Sequence, residues 1–295
     1  MKYDVLVNTE TIESRMEGFI PGLLRDNQVP GASIALIRDG KCAWAKGFGV
    51  KSVSTGEPVG ERTTFQSASF DKPVFAYAAV KLCESGDLSL DESLADHLDA
   101  PFVTSDSRLA DITLRMVLSH TSGLSHATSP RIVADPGTTF SYSAGGINYL
   151  ASVIAHLSSA SVSGYMAKHI LTPLDMQDSC FTESIPPIDV AVGHDHQGCP
   201  LEAKVGTTVA TLYITAADYA KFMIQFMKPK LMGLIAEMLT PQVHLNEAIS
   251  WGLGWGQQEG SEGPSYWHWG GGNTSRALNC LGATWRQRTE YRHSV

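Results

Sequence analysis

The chain has 295 residues, 43% of them hydrophobic and 18% charged, and a formal net charge of −8. That length and balance suit a soluble globular protein with a sizeable core, and the negative charge argues against a nucleic-acid or anionic-membrane partner. No run approaches the roughly eighteen apolar residues of a membrane span, and the first eleven residues hold too short an apolar stretch for a signal peptide. The cytoplasm is therefore the expected compartment, or the periplasm or exterior if a leader has been removed. The cysteines (Cys42, Cys83, Cys180, Cys199 and Cys280) are odd in number and scattered, with no Cys-x-x-Cys pair. They read as reduced packing residues rather than as a disulfide framework or zinc site.

In chain order, residues 9–28 predict a helix with Ile12, Met16, Phe19, Leu23 and Leu24 near one face, kinked at Pro21-Gly22. Residues 32–38 and 41–50 then form a hairpin across Asp39-Gly40, a strong two-residue turn signal. After a polar link, Phe65 to Val80 is an apolar helix that Gly86 stops. Shorter helices are expected at 112–120, ended by Thr121-Ser122-Gly123, at 145–158, and at 163–171 before Pro173, with a loop-rich stretch over 185–205. Helix returns at 215–223, where Thr215 caps and Asp218 sits in the first turn. Trp251 to Trp255 reads as strand-like. Strands, a helical block and a return to strands predict an α+β fold, an antiparallel sheet flanked by helices with an inserted all-helical lobe. Residues 1–86 and 206–295 would make the sheet lobe and 87–205 the helical lobe, with a small-molecule cleft between them.

Three segments carry chemistry. Ser69 precedes Lys72 by three residues, so on a helix the amine reaches the hydroxyl that it must activate. A lysine serves as base only when burial lowers its pKa. Alone, the pair reads more readily as a helix N-cap followed by a surface lysine. Tyr142, at a Gly-rich helix entrance, is a candidate proton shuttle if cationic neighbours lower its pKa; the plain alternative is an aromatic packed under a loop. His268 lies on an expected strand and leads into Gly270, Gly271 and Gly272. These glycines let a substrate approach backbone N–H groups, or else make a simple turn.

In this order the segments resemble the serine β-lactamase and penicillin-binding-protein superfamily, with its Ser-x-x-Lys and Lys-Thr-Gly elements. The branch resembled is that of class C-type β-lactamase-related hydrolases, including family VIII carboxylesterases and D-alanyl-D-alanine peptidase-like enzymes. In it, Tyr-x-Asn or Tyr-Ser-Gly is the second element and His-x-Gly often replaces the third. Val29-Pro30-Gly31-Ala32, the Leu118–Leu124 stretch, Asp135-Pro136-Gly137, the Thr215–Asp218 stretch and the Trp251–Trp255 stretch add to the likeness, which covers about residues 10–275.

The resemblance implies a β-lactamase/transpeptidase-like fold and an acyl-enzyme serine hydrolase of small esters, amides or β-lactams, with no cofactor. It makes Ser69 the nucleophile, Lys72 its proton acceptor, Tyr142 the shared acid/base, and His268 the stand-in for the third-motif lysine. The oxyanion would lie between the N–H groups of Ser69 and Gly271, beside Gly270. It also makes His120 part of a structural turn rather than a triad base.

Two departures stand out. Ala144 occupies the place of the asparagine of Tyr-x-Asn, which favours esters over β-lactams. From 276 to 295 the chain holds four arginines and one glutamate, +3, against −11 for the rest. Only 277–285 reads there as a strand. The family's far-end strand pairs beside the first N-terminal strand, so residues 286–295 are expected either to fill that gap or to leave an open edge that promotes self-association. A catalytically weak binding or scaffold relative is the alternative function. The sequence disfavours an α/β-hydrolase, lacking Gly-x-Ser-x-Gly, and a metallohydrolase, lacking His-Glu-x-x-His. His194-Asp195-His196, its close histidine pair, reads as a surface turn.

Overall fold

The computed structural model describes residues 9–104, 106–127, 129–182, 189–195, 197–201, 211–228, 232–261, 263–271 and 285–286. Helix α1 (Thr9–Asp26) carries Pro21 inside it and leads to strands β1 (Gly31–Arg38) and β2 (Lys41–Gly49). The hairpin forms across Asp39-Gly40, both left-handed with φ of 51° and 69°, as a two-residue turn of matching twist requires. The face of α1 differs from the expected one: Ile20 is buried, whereas Phe19 and Leu23 are 62% and 42% exposed. The helix lies against β2, where Glu17 pairs with Lys46 at 2.8 Å, and this contact turns the Phe19 side outward.

Strand β3 (Phe65–Gln66) runs into a 3-10 turn at Ala68–Phe70 and then helix α2 (Asp71–Ser85). Alanine, leucine and lysine favour the helix in α2. Pro73 falls in its first turn, where the missing N–H costs nothing, and Gly86 ends it at φ 84°. Both flanks of the helix are buried from Val74 to Val80, apart from Tyr77, so α2 is the central post of the core.

Around it stand α3 (Leu114–Leu118), α4 (Ala144–Ser158) and α5 (Val162–Met166), the last continued by a wider turn over Ala167–Leu171. Side-chain oxygens of Thr113, Ser143 and Ser161 cap these three helices. Strand β4 (Cys180–Thr182) comes from this mostly helical stretch, yet it pairs with β5 (Thr211–Ile214), which also pairs with β3. The stretch expected to be all helical thus supplies one strand to the small sheet. The boundary expected at 205/206 lies outside the described residues.

Helix α6 (Ala216–Ile224) starts at the predicted Thr215 cap and packs on β1 and β2, and α7 (Gly233–Glu237) packs on α2. Strands β6 (Val243–His244), β7 (Ile249–Trp251), β8 (Gly256–Gln258), β9 (Ser265–Trp267) and β10 (Trp285–Arg286) form an antiparallel sheet in the order β10-β9-β8-β7-β6. The Trp251–Trp255 stretch, read as strand-like, is the tight connection between β7 and β8. Gly254 there, at φ 84°, sits against α2, where an added Cβ would meet that of Ala76 at 2.7 Å.

Among the described residues β1 pairs only with β2, and β10 pairs with β9 rather than with β1. The rest of the expected 277–285 strand and the two outcomes for the tail fall outside the described residues, as does Cys280. No helix among the described residues is long and apolar enough to cross a membrane. Of the expected packing cysteines, Cys83 and Cys180 are half-buried, but Cys42 and Cys199 are exposed.

Candidate active site

The small sheet fixes where the candidate nucleophile stands. Ser67 N–H donates to Leu212 O at 2.9 Å, Phe70 N–H to Ser67 O at 3.0 Å, and Ala68 is held at φ 47°. This closes a tight turn immediately before α2, so Ser69 sits in the turn rather than acting as a helix cap. It stays partly accessible, while Lys72 on the first turn of α2 is only 6% exposed. Lys72 Nζ donates to Ser69 Oγ at 3.0 Å, the contact that the three-residue spacing predicts.

Tyr142 arrives from the segment before α4. Its ring lies 5.5 Å from Lys72 Nζ. His268 follows the end of β9 rather than lying on it, and is 1% exposed. A carbonyl only accepts, so the 2.8 Å contact from His268 Nδ1 to Trp269 O places the ring proton on Nδ1. The Nε2 lone pair therefore faces the Tyr142 hydroxyl, which donates to it at 3.4 Å. Gly270 packs on the nucleophile turn: an added Cβ would meet Ser67 O at 2.6 Å and Ser69 N at 3.3 Å, while one on Gly271 would meet open space. Ser69, Lys72, Tyr142, His268, Gly270 and Gly271 thus come to one place, and Gly272 lies outside the described residues.

The electrostatics differ from the sequence expectation. Burial pushes the Lys72 amine down, but the carboxylate of Asp71 and the oxygen of Tyr142 push it up by more, so it ends above an ordinary lysine. Burial raises the Tyr142 phenol, and the lowering by the Lys72 charge and by the nearby Ser69 does not offset it. Both directions correct the expected lowered values: at Lys72 the Asp71 carboxylate and the Tyr142 oxygen outweigh burial, and at Tyr142 burial outweighs the neighbouring cation. Burial and then the charge of Lys72 push His268 down to about 3, so the imidazole is neutral and accepts from Tyr142.

Several participants were not singled out. Asp71 pairs with Lys72 at 3.7 Å, and its only sequence signal was an acid inside the Ser-x-x-Lys motif. His126 accepts from Ala144 N–H at 3.2 Å and stacks on Tyr142 with ring centroids 5.8 Å apart, beside the place where the family's asparagine is missing. Trp251 packs against Tyr142, His268 and His120. His120 accepts from Ser143 N–H at 3.2 Å and lies 4.3 Å from the Tyr142 ring. Burial holds its pKa well below the usual value, and it shores up Tyr142 from beneath. His194, read as part of a surface turn, is instead buried and accepts from Val53 N–H at 3.0 Å; its neighbour His196 lies outside the described residues. Among the described residues no group of three His, Cys, Asp or Glu side chains could hold a metal ion. A separate cavity of about 650 Å³, lined by Phe102, Val103, Arg131 and Asn148 among others, includes none of the Ser69 group.

The family model described as Beta-lactamase matches residues 9–280. Protein flp of Staphylococcus aureus (strain MW2) is 26% identical over 212 residues, which cover 64% of this chain and 43% of that protein. Esterase EstB of Burkholderia gladioli is 24% identical over 241 residues, covering 69% of this chain and 60% of that protein. The chain therefore spans about half the length of these curated relatives. The octameric penicillin-binding protein homologue from Pyrococcus abyssi superposes with a TM-score of 0.74 at 25% identity, covering 88% of this chain and 68% of that one. The mixed helical and antiparallel architecture is thus the β-lactamase/transpeptidase-like fold that the motifs implied. With the family pattern matched from residue 9 to residue 280, this chain belongs to the beta-lactamase family.

Proposed function

We propose that the protein is a serine hydrolase that acts through an acyl-enzyme on small esters, with amides and β-lactams as poorer substrates. The observation that carries this reading is the 3.0 Å contact between Lys72 Nζ and Ser69 Oγ, with Tyr142 and His268 lined up behind it. Ser69 Oγ attacks the substrate carbonyl carbon as its proton passes to neutral Lys72, and the carbonyl π bond opens to an oxyanion held by the N–H groups of Ser69 and Gly271. Collapse expels the leaving group, which takes a proton relayed from Lys72 through Tyr142. His268, neutral, accepts from the phenol and keeps its hydroxyl oriented. Water then repeats the addition on the acyl-enzyme, returning the acid and the free serine.

Esters are favoured because Ala144 offers no side-chain amide to grip an acyl group, and a relative named Esterase EstB supports the same choice. Exposed Trp269, 5.0 Å from the ring of Trp267, gives an apolar wall near His268 suited to an aryl leaving group. The second reading, a catalytically weak binding relative, draws on the raised pKa values of Lys72 and Tyr142, which leave little free base at neutral pH. Intact-mass spectrometry after a fluorophosphonate, and separately a penicillin, tests both. A covalent adduct that maps to Ser69 and vanishes in Ser69→Ala supports the hydrolase. Labelling that persists in the variant, or maps to Ser122 or Ser125, overturns the assignment.

A further inference from the structure

We propose that Asp71 is a positioning residue for Lys72: its carboxylate holds the lysine as an ammonium ion in the resting site, so that the serine is armed only as the pH rises. This rests on the reading of Ser69 and Lys72 just given. The two residues are adjacent on the first turn of α2, with Lys72 Nζ 3.7 Å from Asp71 Oδ1. That oxygen is buried and has no hydrogen-bond partner; burial pushes the Asp71 carboxyl above its usual range, and the lysine charge is the main effect that opposes this. Among the described residues no other carboxylate pairs with Lys72.

The remaining groups facing the pair supply no counter-charge. Tyr142, from the entrance of α4, is neutral at neutral pH. His268, after β9, and His120, after α3, are neutral and are themselves pushed down by Lys72. Tyr219 of α6, close enough for the Asp71 charge to raise its phenol, is neutral as well. Asp71 is thus the carboxylate that favours the charged lysine, helped by the Tyr142 oxygen, against a burial that favours the neutral one.

The consequence has a definite sign. A base whose pKa is raised is free only on the alkaline side, so the ester hydrolysis rate climbs with pH through the titration of Lys72. Removing the carboxylate takes away the largest opposition to burial, which moves that climb to lower pH and raises the rate at neutral pH. An opposite charge at this range displaces a titration by about one to three pH units.

The experiment measures kcat/KM for a short-chain aryl ester against pH for the native protein, Asp71→Asn and Asp71→Glu, beside an NMR titration of the 13C-labelled Lys72 side chain. The expected result is a rise displaced by at least about one pH unit to the acid side in Asp71→Asn, near-native behaviour in Asp71→Glu, and the same displacement in the Lys72 signal. An unmoved or alkaline-shifted rise, in a variant that still labels at Ser69, overturns the role of Asp71. Should Asp71→Asn fail to fold, the native protein decides: Lys72 titrating below the free-lysine value of about 10.4 overturns the proposal, and titrating above it upholds it. Absence of labelling at Ser69 in the native protein counts against the hydrolase reading, and the Lys72 titration still decides the pairing with Asp71.

Discussion

Replacing Gly270 with alanine probes the contact between the glycine segment and the nucleophile turn. The new Cβ would lie 2.6 Å from Ser67 O, 3.1 Å from a ring carbon of Phe70 and 3.3 Å from Ser69 N. An ordinary carbon–oxygen contact is about 3.3 Å or more, so the segment must back away by about 0.7 Å. Neither side yields easily, since Ser67 and Phe70 are buried and Ser67 is tied to Leu212. Such a shift carries Gly271 N–H off the proposed oxyanion position. A displacement of about 1 Å in a catalytic constellation costs on the order of 100-fold, and one lost oxyanion donor about 100- to 1,000-fold. The expectation is a fall in kcat/KM of about 100-fold, carried by kcat because the donor acts in the transition state. Aryl-ester kinetics measure this beside a thermal unfolding curve that checks the fold. A correctly folded Gly270→Ala with kcat/KM within about threefold of the native value would refute the argument that this segment builds the anion site.

Lys72→Arg places a permanent charge beside Ser69, and steady-state ester hydrolysis should fall by at least about 100-fold; near-native rates would put the base elsewhere. Specificity constants should rank a short-chain aryl ester above a cephalosporin, since Ala144 offers no amide; the reverse order would return the protein to the lactamases. Asp218→Ala removes a buried carboxylate that accepts from Asp178 N–H at 3.0 Å and Ser179 Oγ at 2.8 Å and pairs with Lys221 at 2.9 Å. Leaving those donors unpaired should cost about 3 kcal/mol of stability, read from the urea midpoint, and a change below about 0.5 kcal/mol would show that water replaces the carboxylate at no cost.

The sequence by itself determined what short-range physics controls. Asp39-Gly40 selected the hairpin turn, Thr215 capped α6, Gly86 ended α2, and three-residue spacing brought Lys72 to Ser69. Each depends on groups a few residues apart, whose geometry the backbone fixes wherever the segment lies. The order of the three motifs likewise pointed to the family. Only the tertiary structure decided which way the site's charges lean. The pKa of Lys72 and of Tyr142 is a balance between burial and charges from α2 and the α4 entrance, and burial is a property of everything packed around a group. The tautomer of His268 depends on one carbonyl, that of Trp269, and the outward turn of Phe19 on the seat of α1 against β2. His126 and Trp251 reach Tyr142 from positions 16 and 109 residues away in the chain, a neighbourhood no local pattern encodes. Asp71 shows the division most plainly: its letter lies in the motif, but its weight comes from one carboxylate oxygen buried 3.7 Å from the Lys72 amine.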